Sequence, residues 1–496
     1  MLSEVHFLME RGAYGIAKTC FPPQTIPAWI CIFTGVNPGK HGVFSFFNTM
    51  GGRIRLNTAL NIRFPPVYEI FSLLRRPIAL INVPLSYPFP ILYGVGVSDW
   101  LAPRRICRIK LPKATNIIRD IVDGYTSADP HGDSSPRRRG SLRRLMGDLK
   151  KKLWIIEGLM ELEYIEDYFI VVSELDWIFH RYYGRVVRGE VPRYVRRILR
   201  LLDKMVSRVI RKALRRGMDI FVVSDHGFRT YSKIVCINEI LRKLGYAKGV
   251  TLRYITKKGQ SKRLKSLIKK AKKDVKSEVL RTLWHVFLSS GIARGFSTKI
   301  YDYIMHGNYR ILVDNRRSIA FALMNVPAFF IAINRRIKRR DYVAMRLINK
   351  LRRLRDKNGR KIFSLVEHRN TLYSGPYVHY APHIGIFGNP DAGYIASAIL
   401  TGSVLVDRKT NYHDFDAIFI AYTSNQRIRG DLGVVSIYDI APTIMATQGI
   451  PIQKGLDGRN LIANIETKKA NYVTRWSIAR KLFLAKTFRK TDKPMI

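Results

Sequence analysis

Acidic residues are scarce in this chain. Against 86 lysines and arginines stand 37 aspartates and glutamates, a formal net charge of +49 over 496 residues. That excess is more than solubility requires, and it favours anionic partners: phosphorylated small molecules, nucleic acid or an anionic membrane surface, drawn in at a rate that falls with salt. Cysteine is rarer still. Cys20, Cys31, Cys107 and Cys236 stand far apart with no CxxC spacing. This excludes a zinc knuckle and a disulfide framework, and makes a reducing, cytoplasmic setting the expectation. Long apolar runs are missing as well. The longest, AFALMNVPAFFIAI at 320–333, is broken by Asn325 and Pro327 and reads as a pair of buried strands, not a membrane span. Disorder is excluded in turn, because 47% of the residues are hydrophobic and 11% aromatic.

Four stretches carry residues suited to chemistry. The first is PPQTIPAWICIFTGVNPGKHGV at 22–43, where prolines stiffen the approach to Thr25 and Pro27 falls early in the following helix, at a place where its missing N–H costs nothing. The free amides of such a helix start, with its dipole, suit a phosphoryl oxygen beside Thr25. A threonine hydroxyl is inert at neutral pH unless a base or a cation takes its proton, and the other three stretches supply candidate ligands. In DYFIVVSELDWIFHRYYG at 167–184 a β-branched strand leads to Asp176 and His180, whose spacing of four puts them on one helical face amid Trp177, Phe179, Tyr182 and Tyr183. In MDIFVVSDHGF at 218–228 Asp225 and His226 end an apolar strand, and Gly227 permits a turn there. In NYHDFDAIFIAYT at 411–423 His413 stands just before a strand. His41 sits in a glycine-flanked turn and reads as a structural hydrogen-bonding group, and Cys20 as a small buried residue.

Taken together, Thr25 with the Thr34–Gly35 turn, Asp176 with His180, Asp225 with His226, and His413 resemble the type I phosphodiesterase/nucleotide pyrophosphatase family of the alkaline phosphatase superfamily. The resemblance implies a three-layer α/β/α core with a mainly parallel sheet and an inserted helical cap. It also implies metal-assisted phosphoryl transfer with Thr25 as nucleophile on phosphate ester or nucleotide-like substrates. Two divalent ions are implied, zinc before manganese or iron since the ligands are nitrogen and oxygen. One would sit on Asp176, His180 and His413; the other on Asp225, His226, Thr25 and an aspartate from a strand that precedes the first helix in the family. Here Met1 falls inside that helix, so a late start or a truncation is expected. The family's phosphate-holding asparagine corresponds by count to Phe46, and Asn48 is the candidate substitute.

Composition divides the chain into a first part of the core at 1–245, a basic insertion at 246–364, a second part of the core at 365–465 and a basic amphipathic tail at 466–496. Two other readings compete with hydrolysis. One is a degenerate scaffold that binds polyanions or a membrane surface; the other is phosphotransfer to an acceptor other than water.

Overall fold

A computed structural model describes residues 3–48, 55–102, 107–111, 115–122, 139–251, 311–314, 316–323, 327–398, 402–462 and 467–489. The chain forms two compact units. The first comprises 1–48, 56–228 and 413–496; the second comprises 49–55 and 229–412.

In the first unit, numbered in chain order, α1 (Ser3–Arg11) leads into β1 (Ala13–Lys18), followed by α2 (Thr25–Thr34) and α3 (Val67–Leu73). Next come β2 (Ile78–Ile81), β3 (Gly94–Val97), β4 (Cys107–Lys110), α4 (Arg139–Met160), β5 (Asp167–Ile170), α5 (Glu174–Val187), α6 (Arg193–Arg215) and β6 (Ile220–Val223). After the excursion to the second unit follow β7 (Asp416–Tyr422), β8 (Gly430–Ser436), α7 (Ile440–Thr447) and α8 (Val473–Arg489). The strands form two four-stranded sheets, in the orders β4-β3-β2-β5 and β8-β1-β7-β6. Pairing is mixed. β2 runs parallel to β3 and β5, and β1 parallel to β8, whereas β4 and β7 run antiparallel to their neighbours.

Both sheets separate the same two apolar cores, because side chains alternate across a strand. Ile78, Leu80, Phe169 and Phe419 join one core with Phe221 and Val223 against it; Ala79, Ile81, Ile220 and Ile420 join the other with Tyr168, Ile170 and Val222. β5 and β6 are therefore the facing edges of one layer. Their residues are mostly only half-buried, while those of β2 and β3 are buried throughout.

The tail is a docked helix. On α8 the buried Trp476 indole donates to Glu69, and the buried Arg480 guanidinium donates to the carbonyls of Ile62 and Ala59. No helix among the described residues is long and apolar enough to cross a membrane.

The second unit holds an antiparallel sheet whose strands run, in spatial order, Ala320–Leu323, Phe330–Ile333, Ile384–Gly388 and Phe363–His368. The 320–333 stretch is thus the expected strand pair. A helix at Arg340–Arg352 buries Ala344, Leu347, Ile348 and Leu351. Met345 of the same helix is 47% exposed, because its phase turns it away from that buried side. The described part of the basic insertion thus contains strands as well as helix, and the unit extends beyond 246–364 on both sides. The lysine-rich run at 257–276, and His131 and Asp133, lie outside the described residues.

Candidate metal centre and active site

The apolar strands β5 and β6 each lead into a pair of ligand candidates, as ligand-bearing strands in α/β folds do. Beyond β5 the chain turns at Ser173 into α5, whose first turns carry Asp176 and His180, with Nε2 of His180 3.5 Å from Oδ1 of Asp176. A buried ion pair fixes that helix start: Glu174, its first residue, takes the Lys152 ammonium at 2.7 Å, both side chains being almost wholly buried. Beyond β6 come Asp225 and His226. Glycine follows because the backbone there approaches β7; a Cβ on Gly227 would lie 2.0 Å from the Asp416 carbonyl oxygen. Close approach, and not the left-handed conformation, is what demands Gly227.

His413 enters from the strand that brings the chain back to this unit. Its Nδ1 lies 2.9 Å from the Pro23 carbonyl oxygen, which can only accept, so Nδ1 carries a proton and Nε2 is the ring atom left facing the cluster. That Nε2 lies 3.2 Å from Oδ1 of Asp176 and 3.1 Å from Nε2 of His180. His226 is built the same way. Its Nδ1 faces the Gly227 carbonyl at 3.2 Å, its ring stacks on His413 with centroids 3.4 Å apart, and its Nε2 is 3.9 Å from Oδ1 of Asp176 and 3.2 Å from Oδ2 of Asp225. The ring of Phe228 stands edge-on to His180, His226 and His413.

One donor atom each from Asp176, His226 and His413 thus falls within 4.8 Å of the others. Oδ1 of Asp176 and Nε2 of His226 are buried atoms without a hydrogen-bond partner. Lone pairs converging in a low-dielectric site repel unless a cation stands among them, so this donor set fits a divalent metal. Nitrogen and oxygen donors without thiolate suit zinc, manganese or iron. Desolvation pushes the Asp176 carboxyl up, but the imidazoles of His180, His413 and His226 outweigh it and hold it well below the usual carboxylate range. Burial, then the charge of Asp176, raises Asp225 well above its ordinary value. Burial, then His413, holds His226 well below its own.

Thr25 opens α2. Gln24 caps it in extended conformation without a side-chain hydrogen bond, and Pro27 lies in the first turn, so the leading amides point out of the helix. The same loop touches the cluster twice, through the Pro23 carbonyl on His413 and through Thr19, whose hydroxyl donates to the Asp225 carbonyl at 2.5 Å. Among the described residues the Thr25 hydroxyl makes no hydrogen bond to any of the five ligand candidates. Asn48 lies in a short strand, where its amide donates to Asn57 at 3.0 Å. Phe46 packs near Trp100. His41 is fully buried, and Cys20 is 3% exposed. Sequence reasoning missed Thr19, the Pro23 carbonyl, Lys152 with Glu174, and Phe228. Of these only Phe228, adjoining the DHG stretch, carried a local signal.

No curated protein matches the sequence significantly. Two similar solved structures are phosphonoacetate hydrolase from Sinorhizobium meliloti 1021 with phosphonoformate and murine ectonucleotide pyrophosphatase/phosphodiesterase 5 with AMP. The first is 12% identical over 89% of this chain and 88% of that one, at a TM-score of 0.46; the second is 10% identical over 96% and 93%, at 0.48. The family model for type I phosphodiesterase / nucleotide pyrophosphatase matches residues 2–75 and 166–362, more than half of the sequence and all of the ligand candidates except His413. The chain belongs to the type I phosphodiesterase/nucleotide pyrophosphatase family.

Proposed function

We propose that this phosphodiesterase/pyrophosphatase-type hydrolase cleaves phosphate esters of nucleotide-like small molecules by attack of Thr25 on phosphorus. The observation that carries the reading is the convergence of acceptor atoms from Asp176, His226 and His413 beside the loop that holds Thr25. Asp176, His180 and His413 would hold one divalent cation, zinc first. Asp225, His226 and Thr25 would share a second. Bound there, such ions would lower the pKa of an adjacent hydroxyl and neutralise phosphate charge. The chain's own groups do the rest. The Pro23 carbonyl fixes the His413 tautomer, the Gly227 carbonyl that of His226, and the leading amides of α2 receive a phosphoryl oxygen. Thr25 Oγ1 forms a bond to phosphorus as the bond to the leaving alkoxide or phosphate breaks. Water then takes the phosphoryl group from threonine, returning the hydroxyl.

The facing edges of β5 and β6 support one further element of this reading. A strand between them would pair with both, cover their half-buried residues and turn two four-stranded sheets into one. α1 packs over β7 and joins β1, so a right-handed crossover places a strand ahead of α1 on the β6 side. Ending level with β5 and β6, that strand would bring one more carboxylate to the second cation.

The test is hydrolysis of bis(p-nitrophenyl) phosphate after EDTA treatment and zinc return, by the 496-residue chain and by one extended upstream. Zinc-dependent turnover that Thr25→Ala abolishes is expected, faster in the extended chain. Turnover that survives Thr25→Ala would exclude threonine as nucleophile, and equal rates of the two chains would exclude the added strand.

A further inference from the structure

The outer face of α6 is not used by the site described above. Its inner face buries Val195, Ile198, Leu202 and Met205. Along its C-terminal half the cations are spoken for: Arg208 pairs with Glu157 at 2.5 Å, Arg211 with Glu4 at 3.1 Å and Lys212 with Glu161, and Arg216 donates to the Met160 and Ile165 carbonyls. The N-terminal half differs. Arg193, Arg196, Arg197 and Arg200 are exposed, and among the described residues none of the four makes an ion pair or hydrogen bond. With Val191 they line a concave cavity of about 550 Å³. The adjacent Glu190 is taken by Arg188 at 3.0 Å, and the helix carries one carboxylate, Asp203.

Four guanidinium groups of one sign repel each other along roughly 10 Å of helix, a spacing set by a rise of about 1.5 Å per residue. Nothing described on this chain offsets that repulsion. Each guanidinium presents a planar fork of donors that matches two phosphate oxygens. Among the described residues the lining offers no aromatic ring for stacking bases and only Val191 as apolar surface, which disfavours single-stranded nucleic acid and membrane insertion. We infer that this face of α6 is a binding site for a compact oligophosphate, an anion with two or more linked phosphates, separate from the metal cluster.

Calorimetric titration of the full chain with inorganic tripolyphosphate, in EDTA and about 0.15 M KCl to screen diffuse charge, tests this. One site is expected, unmoved by Asp176→Asn and weakened at least about tenfold by Arg196→Glu/Arg200→Glu, the loss of a single charge-assisted contact. The control Arg335→Glu/Arg339→Glu makes the same charge change on exposed residues of the second unit. The milder Arg196→Gln/Arg200→Gln, checked by circular dichroism, covers a misfolded first variant. Equal weakening by the control, or no weakening by either α6 variant, would overturn the site. So would a result in which the α6 variants leave tripolyphosphate binding intact but reduce the salt dependence of binding to a single-stranded oligonucleotide, a slope of about 0.7 per phosphate contact.

Discussion

His41 is a histidine near the Thr25 loop that the structure makes a packing group, and its titration gives a sharp test. It is fully buried; Val43 N–H donates to its Nδ1 at 3.2 Å, and its Nε2 lies 3.3 Å from Sγ of Cys31. The ring is thus neutral with the proton on Nε2, and protonating Nδ1 would set two donors against each other. Burial holds its pKa down at about 3 from the ordinary 6.5, although the charge of Asp457 pulls the other way. In the unfolded chain the group titrates near 6.5, so between pH 6.5 and 3 the unfolded state binds more protons and folding stability falls as pH falls. At about 1.36 kcal/mol per pH unit the whole interval amounts to about 5 kcal/mol, present in full above pH 6.5 and lost by pH 3. His41→Gln removes the titration whatever its constant packing cost. Urea unfolding followed by tryptophan fluorescence reports mainly the first unit, where five of the six tryptophans, Trp29, Trp100, Trp154, Trp177 and Trp476, lie. The stability difference between wild type and variant should shrink by about 1.4 kcal/mol per pH unit below 6.5. A difference flat from pH 7.5 to 4 would refute the buried neutral ring. Loss of zinc binding in the variant would make His41 a ligand and refute its structural role.

Asp99 should behave in the opposite sense. It is buried, accepts N–H groups of Leu85, Leu101 and Ala102, and burial pushes it up to about 7 despite those bonds. Its raised carboxyl favours folding below pH 3.8 and loses that contribution as pH rises to 7, so Asp99→Asn should gain on wild type by about 4 kcal/mol between pH 4 and 8 in the same urea assay. For the metal cluster, zinc at a hundred times its Kd should stabilise the wild-type chain by about 2.7 kcal/mol. His413→Ala or Asp176→Asn should abolish most of that gain in a thermal melt; an unchanged shift would place the cation elsewhere. Trp476→Ala removes a buried ring and its bond to Glu69, and should cost about 3–5 kcal/mol in urea unfolding. A cost below about 1 kcal/mol would mean that α8 is not docked.

Legibility followed the range of the interactions involved. The strands β5 and β6 and the pair at 320–333 were visible as apolar runs, and the ligand candidates Asp176, His180, Asp225 and His226 lie just past such runs. Their convergence could be inferred only from the family pattern, since no local rule links 176 to 226. The Pro23 carbonyl that sets the His413 tautomer is 390 residues away from it, and a carbonyl leaves no mark in a sequence. The Lys152–Glu174 pair was hidden for the same reason, two ordinary charges whose burial arises from packing.

The stacking of His226 on His413 has an architectural consequence. The polypeptide departs for the second unit just after one of these rings and comes back at the other, so an excursion of nearly two hundred residues begins and finishes at nearly the same point in space. Such a junction lets whatever is threaded through it lengthen, shrink or be exchanged over evolution without shifting the two histidines. It also makes a chain in which a short glycine-rich bridge replaces 229–412 a reasonable minimal scaffold for a metal-loaded core.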